Sequence, residues 1–473
     1  MSIIPDRESD EGHYCRLFKC WPNRPTPGTP EFNTFVRALQ ELVEQMSDDG
    51  SRVCEGKPEA PINAGYTYIG QFLDHEVTND ETKVDEAWKL EPHQIKNGQT
   101  PRIDLSHLYG GGPQHRKDGI LYDGDRFRVG DKVQSIIAPD QGSRSFDVGF
   151  EKGTLLIADD RARENVILRQ ITAVFARLHN LAVEQWNSFD RARQQTIWQF
   201  QRLVVEDYLN EVLDPTVYKS VFVDHEPMVK WTNFSIPVEF SVAAFRFGHS
   251  MVRDNYFLSE QTDKTLLELL ERALKHEPLE AEWEIDWGAF FQNASTSTVI
   301  TARPIDIRIA PGLFEVPIPT LMLFNAGVSS FFVRDNTIRL PLVSLMRGSG
   351  LALASGQYVA RRFGEPVLTE DELTNDCNGK ITPQGEILKK YGLTRETPLF
   401  YYVLKESEVR NNGNELGPTG SHIVAETIYT ALKRDPKSYM NDPAGAIPPT
   451  WEFPSGRDTI KSLGDLFARA TEF

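Results

Sequence analysis

Apolar residues recur at helical spacing through the middle of the chain. Ile167, Ile171, Val174, Leu178 and Leu181 follow one another at steps of three or four residues, so they lie along one face of a helix. This feature constrains the fold most, because such a face must be covered by other parts of the chain. It predicts a mainly α-helical protein.

Other segments carry the same pattern. Residues 191–213 have an apolar stripe and end just before Pro215, which predicts a second long helix packed on the first. Shorter helices are predicted at 35–46, 238–251, 266–274, 422–433 and 461–470. Strand signals are few, and no long linker divides the chain. We therefore predict an N-terminal arm and first helix over residues 1–60, packed on a single large helical domain over 61–473.

Charge and composition exclude several classes of protein. The 473 residues are 40% hydrophobic with a net charge of −17, which is typical of a globular chain and disfavours nucleic acid or an anionic membrane as partner. The N-terminal residues lack a signal-peptide pattern, and no apolar run approaches the ~18 residues that cross a bilayer. We expect a cytoplasmic protein without a membrane span.

The four cysteines are Cys15, Cys20, Cys54 and Cys377. Their spacing fits neither a zinc ribbon nor a disulfide framework. We expect reduced thiols, with a bridge between Cys15 and Cys20 as the alternative.

Polar residues interrupt the apolar pattern at two places. Residues 65–76 predict an aromatic-rich helix on which Gln71, Asp74 and His75 share one face, and burying them is costly unless they serve a ligand or one another. Arg161 and Glu164 stand one turn apart before the main apolar stripe. The alternatives are a solvated helix face for the first group and an ordinary ion pair at a helix N-terminus for the second.

A third interruption lies in residues 240–251, which are almost all apolar apart from Arg246 and His249. A core arginine needs an acceptor, and Gly248 lets a flat group approach the backbone. A buried imidazole with one open side is what a haem iron requires. The alternative is a core histidine satisfied by its neighbours.

Five motifs occur in order along the chain. They read G-Q-F-L-D-H at 70–75, T-x-x-x-D-x-S at 100–106 followed by L-Y-G, D-x-R-x-x-E at 159–164, R-L-H-N at 177–180 and F-R-F-G-H-S at 245–250. Together they resemble the animal-type haem peroxidases of the peroxidase-cyclooxygenase superfamily, especially bacterial and fungal members without a signal peptide. The resemblance covers about residues 65–420 and implies one large helical haem-peroxidase domain of the myeloperoxidase-like type.

The resemblance implies an enzyme and assigns its residues. His75 is the implied distal acid-base, Arg161 the distal cation, Gln71 a distal amide near a halide site and His249 the proximal iron ligand. The implied reaction reduces hydrogen peroxide and oxidises small organic reductants, halide or thiocyanate through a ferryl intermediate, with a role in the response to oxidative stress. The residue types agree, because an imidazole can move a proton between the peroxide oxygens while a guanidinium stabilises developing charge.

The resemblance also implies how the cofactors are held. Haem b would be oriented by Arg246 and Arg347, with Ser344 replacing the family's asparagine beside the proximal histidine and Gln357 as a weaker candidate for that place. Asp74 and Glu164 match the carboxylates that form esters with haem, whereas Asn165 removes a third, sulfonium link. Calcium would be bound by Glu76, where the family usually has aspartate, and by Thr100, the Arg102 carbonyl, Asp104 and Ser106. The alternative to calcium is a turn with no metal.

Three other functions stay open. One is a haem fatty-acid dioxygenase of the cyclooxygenase branch, in which a tyrosine stands three residues before the proximal histidine. Here that residue is Arg246, although Tyr256 and Tyr358 lie nearby in the sequence. The others are a secondary-metabolism haem oxidase with a specific substrate and a haem-carrying binding protein without enzyme activity.

Overall fold

The chain folds mainly into helices, which confirms the predicted class. The structure, a computed structural model, describes residues 2–9, 12–48, 50, 62–80, 82–83, 86–133, 145–259, 262–292, 299–319, 333–334, 337–441 and 460–472. In these ranges the helices are α1 (Pro30–Glu44), α2 (Ala64–Val77), α3 (Ser106–Tyr109), α4 (Val166–Trp186), α5 (Phe189–Leu203), α6 (Leu209–Val212), α7 (Pro215–Tyr218), α8 (Val238–Val242), α9 (Gly248–Met251), α10 (Leu266–Ala273), α11 (Trp287–Phe291), α12 (Leu340–Gly350), α13 (Gly356–Phe363), α14 (Glu370–Thr374), α15 (Pro383–Lys390), α16 (Leu399–Arg410), α17 (Pro418–Arg434) and α18 (Leu463–Glu472).

The strands are short and antiparallel. They are β1 (Tyr122–Asp123), β2 (Arg126–Phe127), β3 (Val129–Lys132), β4 (Phe146–Glu151), β5 (Thr154–Leu156), β6 (Asn255–Ser259), β7 (Thr262–Thr265), β8 (Val316–Pro317), β9 (Val333–Arg334) and β10 (Thr337–Ile338). β3, β4 and β5 form one sheet in that order, and β8 and β9 flank β10 in another. β1 pairs with β2, and β6 pairs with β7.

α4 lies at the centre of the core. Asn165 caps its N-terminus by accepting the Leu168 N–H at 2.7 Å, and the predicted apolar stripe is buried. α5 packs against it, as the sequence predicts. The predicted continuous helix at 191–213 is wrong in one respect: a π-helical turn at Val204–Tyr208 separates α5 from α6. Such turns frequently occur at functional sites.

α2 is buried on nearly all sides, and two glycines allow its close packing. A Cβ at Gly65 would lie 2.4 Å from the Phe291 ring, and one at Gly70 would lie 2.4 Å from the Tyr208 hydroxyl. The polar side chains predicted on this helix are therefore held inside the protein, since the solvated face considered as an alternative is not present.

The segment 238–251 is not the single helix that the sequence predicts. α8 ends at Val242, Ala243 adopts φ −134° and ψ −74°, and a 3₁₀ turn at Ala244–Phe247 leads into α9. The break changes the direction of the backbone between Glu239 and His249. Tertiary packing has overridden the local helical pattern.

The N-terminal arm packs on the rest of the chain through isolated backbone bridges, which pair Ile3 with Val229 and Cys15 with Pro237. The predicted boundary at residue 60 lies outside the described residues. No helix within the described ranges is long and apolar enough to cross a membrane.

The expectation of reduced thiols is confirmed for two cysteines and wrong for a third. Cys15 and Cys20 are free, so the alternative of a disulfide between them is wrong. The buried Cys15 thiol instead donates to the Ser235 carbonyl at 3.1 Å. Cys377 is disulfide-bonded, which contradicts the expectation of reduced thiols. Cys54 lies outside the described residues.

Candidate active site

A cavity lies between α2 and the segment 238–251. It has two connected lobes that share Asp74, His75, Arg246, His249 and Leu340. The polar lobe is also lined by Tyr14, Thr78, Asn79, Asp80, Arg161, Ser241, Val242, Val343, Ser344 and Arg347. The apolar lobe is also lined by Thr67, Tyr68, Gly70, Gln71, Asn165, Tyr208, Phe245, Gly248, Val252, Leu266, Leu270 and Leu313. The fold thus brings several separate sequence motifs to one cavity.

His75 reaches this cavity from α2 and contacts the start of α4. Its Nε2 lies 3.1 Å from Glu164 Oε2, and Gln71 Nε2 donates to the same oxygen at 2.7 Å. Asn165 Nδ2 donates to Gln71 Oε1 at 3.0 Å. The Oε1 atom of Glu164 is buried without a hydrogen-bond partner among the described residues. The polar groups on α2 and α4 therefore form one network with a single unused acceptor on Glu164.

The surroundings of His75 favour its neutral form. Burial, followed by the positive charge of Arg161, lowers the pKa of His75 well below its ordinary value. Burial raises the pKa of Glu164 well above its ordinary value. A neutral imidazole is the form that can accept a proton from a substrate.

Arg161 is fixed from several directions. Its Nη2 donates to Asp159 Oδ2 at 2.6 Å and to the His75 carbonyl at 2.9 Å, and its Nη1 donates to the Thr78 carbonyl at 2.6 Å. The guanidinium thus connects the D-x-R motif with the C-terminal turn of α2. Sequence reasoning included Asp159 in a motif but did not assign it this role.

His249 lines both lobes from α9. Its Nδ1 lies 3.5 Å from Ser344 Oγ on α12, which is long for a hydrogen bond, and Ser344 Oγ also donates to the Leu340 carbonyl at 3.3 Å. Burial and the charge of Arg246 lower the pKa of His249 to about 3, so the imidazole is neutral. A Cβ at Gly248 would meet nothing within 4 Å, so this backbone is open to a flat group.

The alternative assignment of Gln357 beside His249 is wrong. Gln357 Nε2 donates to the Thr394 carbonyl at 3.0 Å and to Thr397 Oγ1 at 2.7 Å. Its amide therefore fixes the loop before α16, and it does not line either lobe.

Two ion pairs border the polar lobe. Arg246 Nη1 lies 3.1 Å from Asp74 Oδ2, and Arg246 Nε donates to the Ser241 carbonyl at 2.7 Å. Arg347 pairs with Asp80, which the sequence analysis did not single out. The two residues stand 267 positions apart, so no local sequence signal could have joined them.

The predicted calcium ligands are close together but partly occupied by protein contacts. Glu76 is fully buried, its Oε1 accepts the N–H groups of Asp104 at 2.6 Å and Ser106 at 3.2 Å, and its Oε2 contacts His107 Nδ1. Burial and the charge of Glu76 raise the pKa of Asp104 to about 6. Asp104 Oδ1 and Thr100 Oγ1 are buried without a partner among the described residues. His107 directly follows Ser106 in the sequence, and the sequence analysis did not single it out.

The described residues contain no group of three or more His, Cys, Asp or Glu side chains suited to a metal ion. The predicted calcium set has two carboxylates, and it depends otherwise on hydroxyl oxygens and the Arg102 carbonyl. His179 is a buried core residue: its Nδ1 lies 3.0 Å from the Tyr109 hydroxyl and its Nε2 lies 2.9 Å from the Asp125 carbonyl.

Comparison with known proteins agrees with this geometry. Residues 76–294, which include Arg161 and His249, match the profile described as animal haem peroxidase. This region of the chain is thus similar to the animal haem peroxidase family. It is 24% identical over 306 residues to the peroxidasin homolog pxn-2 of Caenorhabditis elegans, with 61% of this chain and 21% of that protein covered. The chain thus spans about a fifth of the length of that curated relative.

Solved structures show the same fold. Peroxidase A from Dictyostelium discoideum superposes with a TM-score of 0.59 at 16% identity, covering 100% of this chain and 93% of that one. The fatty acid alpha-dioxygenase of Oryza sativa superposes with a TM-score of 0.60 at 13% identity, covering 91% of this chain and 76% of that one. The fold of this chain therefore occurs both in a peroxidase and in a dioxygenase.

The similarity to animal haem peroxidases implies a haem cofactor, and the cavity suits one. Haem has one edge that carries carboxylates and is otherwise apolar. The polar lobe offers the guanidinium groups of Arg246 and Arg347, whereas Leu266, Leu270 and Leu313 line the apolar lobe. Both chemical characters of the cofactor thus have a counterpart in the two lobes.

Proposed function

We propose that this chain is a peroxidase that binds haem b, reduces hydrogen peroxide and oxidises small organic reductants, halide or thiocyanate. The observation that carries the proposal is the convergence of three side chains on one cavity. His75, Arg161 and His249 come from different parts of the sequence and all line the polar lobe. An acid-base, a fixed cation and a neutral nitrogen ligand are the groups that peroxide cleavage on haem needs.

Each residue has a distinct task. His249 would hold the iron, which when haem is bound supplies the redox chemistry that takes oxidising equivalents from peroxide and passes them to a reductant. Neutral His75 accepts the proton that peroxide must lose and returns it to the departing oxygen. Arg161 has a fixed position, because its guanidinium donates hydrogen bonds to Asp159 and to carbonyls at the C-terminal end of α2. Its charge stabilises the negative charge that develops as the O–O bond breaks.

Other lining residues would bind and orient the cofactor. Arg246 and Arg347 supply positive charge at the polar lobe, and Ser344 is the acceptor nearest the second nitrogen of His249. Glu164 keeps an unused oxygen, whereas both oxygens of Asp74 are engaged, one by Thr78 at 3.1 Å and one by Arg246. If peroxide turnover links haem to the protein, Glu164 is therefore the more available of the two carboxylates.

We also propose that the buried loop at 100–106 binds calcium. The unpartnered oxygens of Thr100 and Asp104 support this, because Ca²⁺ prefers oxygen ligands and a buried acceptor without a donor is costly. Ser106, the Arg102 carbonyl and Glu76 would complete the set. Glu76 already accepts three backbone N–H groups, so its contribution to the ion is smaller than that of Asp104.

A fatty-acid dioxygenase is the second candidate, and the apolar lobe beside His75 favours it. Arg246 opposes it, because a guanidinium held by Asp74 cannot form the radical that the reaction requires. Tyr256 and Tyr358 are not among the described residues that line either lobe, so they are poor substitutes for the missing tyrosine. Tyr68 and Tyr208 do line the apolar lobe.

Two measurements on the haem-loaded protein test the proposal. Stopped-flow mixing with hydrogen peroxide should show a spectral change that slows by about 100-fold or more in His75→Ala, since the proton acceptor is lost. The exposed His276→Ala is the matched control and should react like the parent. Equal rates in His75→Ala and the parent would refute the role of His75.

The second measurement separates the two candidate activities. The peroxidase should oxidise phenolic dyes, iodide or thiocyanate with peroxide, and an oxygen electrode should record no uptake with palmitate. Oxygen uptake with palmitate that disappears in Tyr68→Phe or Tyr208→Phe would establish the dioxygenase instead.

A further inference from the structure

A side chain of the N-terminal arm, which lies outside all of the family motifs, lines the polar lobe. Tyr14, from the N-terminal arm, is 1% exposed, and its hydroxyl has no hydrogen-bond partner among the described residues. Nevertheless the residue lines the lobe together with Arg246 and Arg347. A buried hydroxyl without a partner is costly, so its position in this cavity points to an acceptor that the protein itself does not supply.

The arm holds Tyr14 firmly at this place. The Tyr14 N–H donates to the Ile95 carbonyl at 3.1 Å. Shortly after it, the N–H groups of Leu17 and Phe18 donate to the two carboxylate oxygens of Glu239 at 3.1 and 3.0 Å. Glu239 lies on α8, which leads into the segment that carries His249. The phenol is thus positioned by contacts on both sides of the arm and is not at a frayed terminus.

The charged side chains around the polar lobe already pair with one another, so an incoming carboxylate requires a neutral hydrogen-bond donor. Arg246 already pairs with Asp74, and Arg347 already pairs with Asp80, so these four charges balance. A cofactor that brings carboxylates into the lobe adds negative charge to a balanced set. Burial, together with the negative charges of Asp80 and Asp74, raises the pKa of Tyr14 well above its ordinary value. The phenol therefore keeps its proton and can act as a donor without adding charge.

We propose that the Tyr14 hydroxyl donates a hydrogen bond to a propionate of the bound haem, which makes the N-terminal arm part of the cofactor site. This inference rests on the proposed function, because it assumes that haem b occupies the cavity. Its consequence is that the arm retains the cofactor, while peroxide cleavage depends on residues of the helical domain. Tyr14 is a binding residue in this account and takes no part in the reaction.

The test is the rate of haem release from Tyr14→Phe. The haem-loaded protein, never exposed to peroxide so that no covalent link has formed, is mixed with excess apomyoglobin, and the transfer of haem is followed by absorbance. Loss of a hydrogen bond to a charged group should speed release by roughly 10- to 100-fold. Resonance Raman spectroscopy should also show a shift of the propionate bending band.

Tyr401→Phe is the matched control. Tyr401 is likewise fully buried with an unpartnered hydroxyl among the described residues, but it does not line either lobe. It should release haem at the parent rate. Loading both variants and the parent with haem b dimethyl ester, which lacks free carboxylates, should bring the rates for Tyr14→Phe and the parent to within about twofold of each other.

The outcomes distinguish this inference from the proposed function. If the parent protein does not bind haem, the proposed function fails. If the parent binds haem, two results would refute the contact with a propionate and leave the peroxidase proposal standing. The first is release of haem from Tyr14→Phe at the parent rate. The second is release from Tyr14→Phe that exceeds the parent rate by the same factor for haem b and for its dimethyl ester.

Discussion

Asp159 should stabilise the protein through Arg161, and the size of this effect follows from the geometry. Asp159 accepts Arg161 Nε at 3.1 Å and Nη2 at 2.6 Å, and it accepts the Arg161 backbone N–H at 2.9 Å. The same guanidinium reaches back to the carbonyls of His75 and Thr78. Replacing Asp159 with asparagine preserves the shape of the side chain but leaves a buried guanidinium without its counter-charge.

The pKa of Asp159 gives the magnitude. Burial alone would raise it, but the hydrogen bonds and positive charge of Arg161 lower it from 3.8 to about 2. At ~1.4 kcal/mol per pH unit, this difference corresponds to about 2 kcal/mol of folding free energy. Because the pKa in the folded protein is depressed, the contribution is present above pH ~4 and is lost as the pH falls through ~2.

Urea unfolding followed by circular dichroism measures the effect. At pH 7, Asp159→Asn should lower the free energy of unfolding by at least about 2 kcal/mol, since the uncompensated charge of Arg161 adds to the loss. The difference in the free energy of unfolding between Asp159→Asn and the parent should become smaller near pH 2. Asp160→Asn is the control, because the Asp160 side chain is 75% exposed and its contact with Arg163 Nε is long, at 3.7 Å. Equal stability of Asp159→Asn and the parent at pH 7 would refute the reasoning.

Three further predictions concern other buried groups. Burial lowers the pKa of His179 to about 4, so the unfolded chain binds a proton at a higher pH than the folded protein does. Between pH 7 and pH 5 the free energy of unfolding of the parent should therefore fall by about 2 kcal/mol relative to that of His179→Gln. A difference in urea unfolding that does not depend on pH would contradict this. After peroxide turnover, acid-acetone extraction and mass spectrometry should find haem ester-linked at Glu164 before Asp74, and fully extractable haem would refute this. Metal analysis should find one bound calcium, and chelation of this ion should lower the unfolding temperature. Asp104→Asn should lose more calcium than Glu76→Gln. A protein that contains no calcium and whose unfolding temperature does not respond to chelation would exclude the ion.

Local patterns indicated several of the residues that line the cavity. Gln71, Asp74 and His75 stand at positions that share a helix face, so the sequence alone indicated that they act together, and the structure brings all three to one cavity. The isolated pair Arg246 and His249 in an apolar run was visible for the same reason: buried polar groups stand out against hydrophobic neighbours.

Features that depend on tertiary contacts were not predictable. The pairing of Arg347 with Asp80 joins residues far apart in the sequence, and the position of Tyr14 depends on how the arm meets α8. The irregular backbone at Ala243 was also missed, because the local sequence favours a continuous helix and only packing reveals the break. Helix periodicity finds elements and faces, but it does not give the path between them.

The visible absorption spectrum of the haem-loaded protein, recorded before and after one equivalent of peroxide, tests the central claim most directly when the parent is compared with His249→Gly. The parent should show a histidine-ligated haem that changes on adding peroxide. The variant should lose this spectrum and regain it with added imidazole, because the small ligand can occupy the space left by the side chain. An unchanged spectrum in His249→Gly, or a parent protein that binds no haem, would contradict the account.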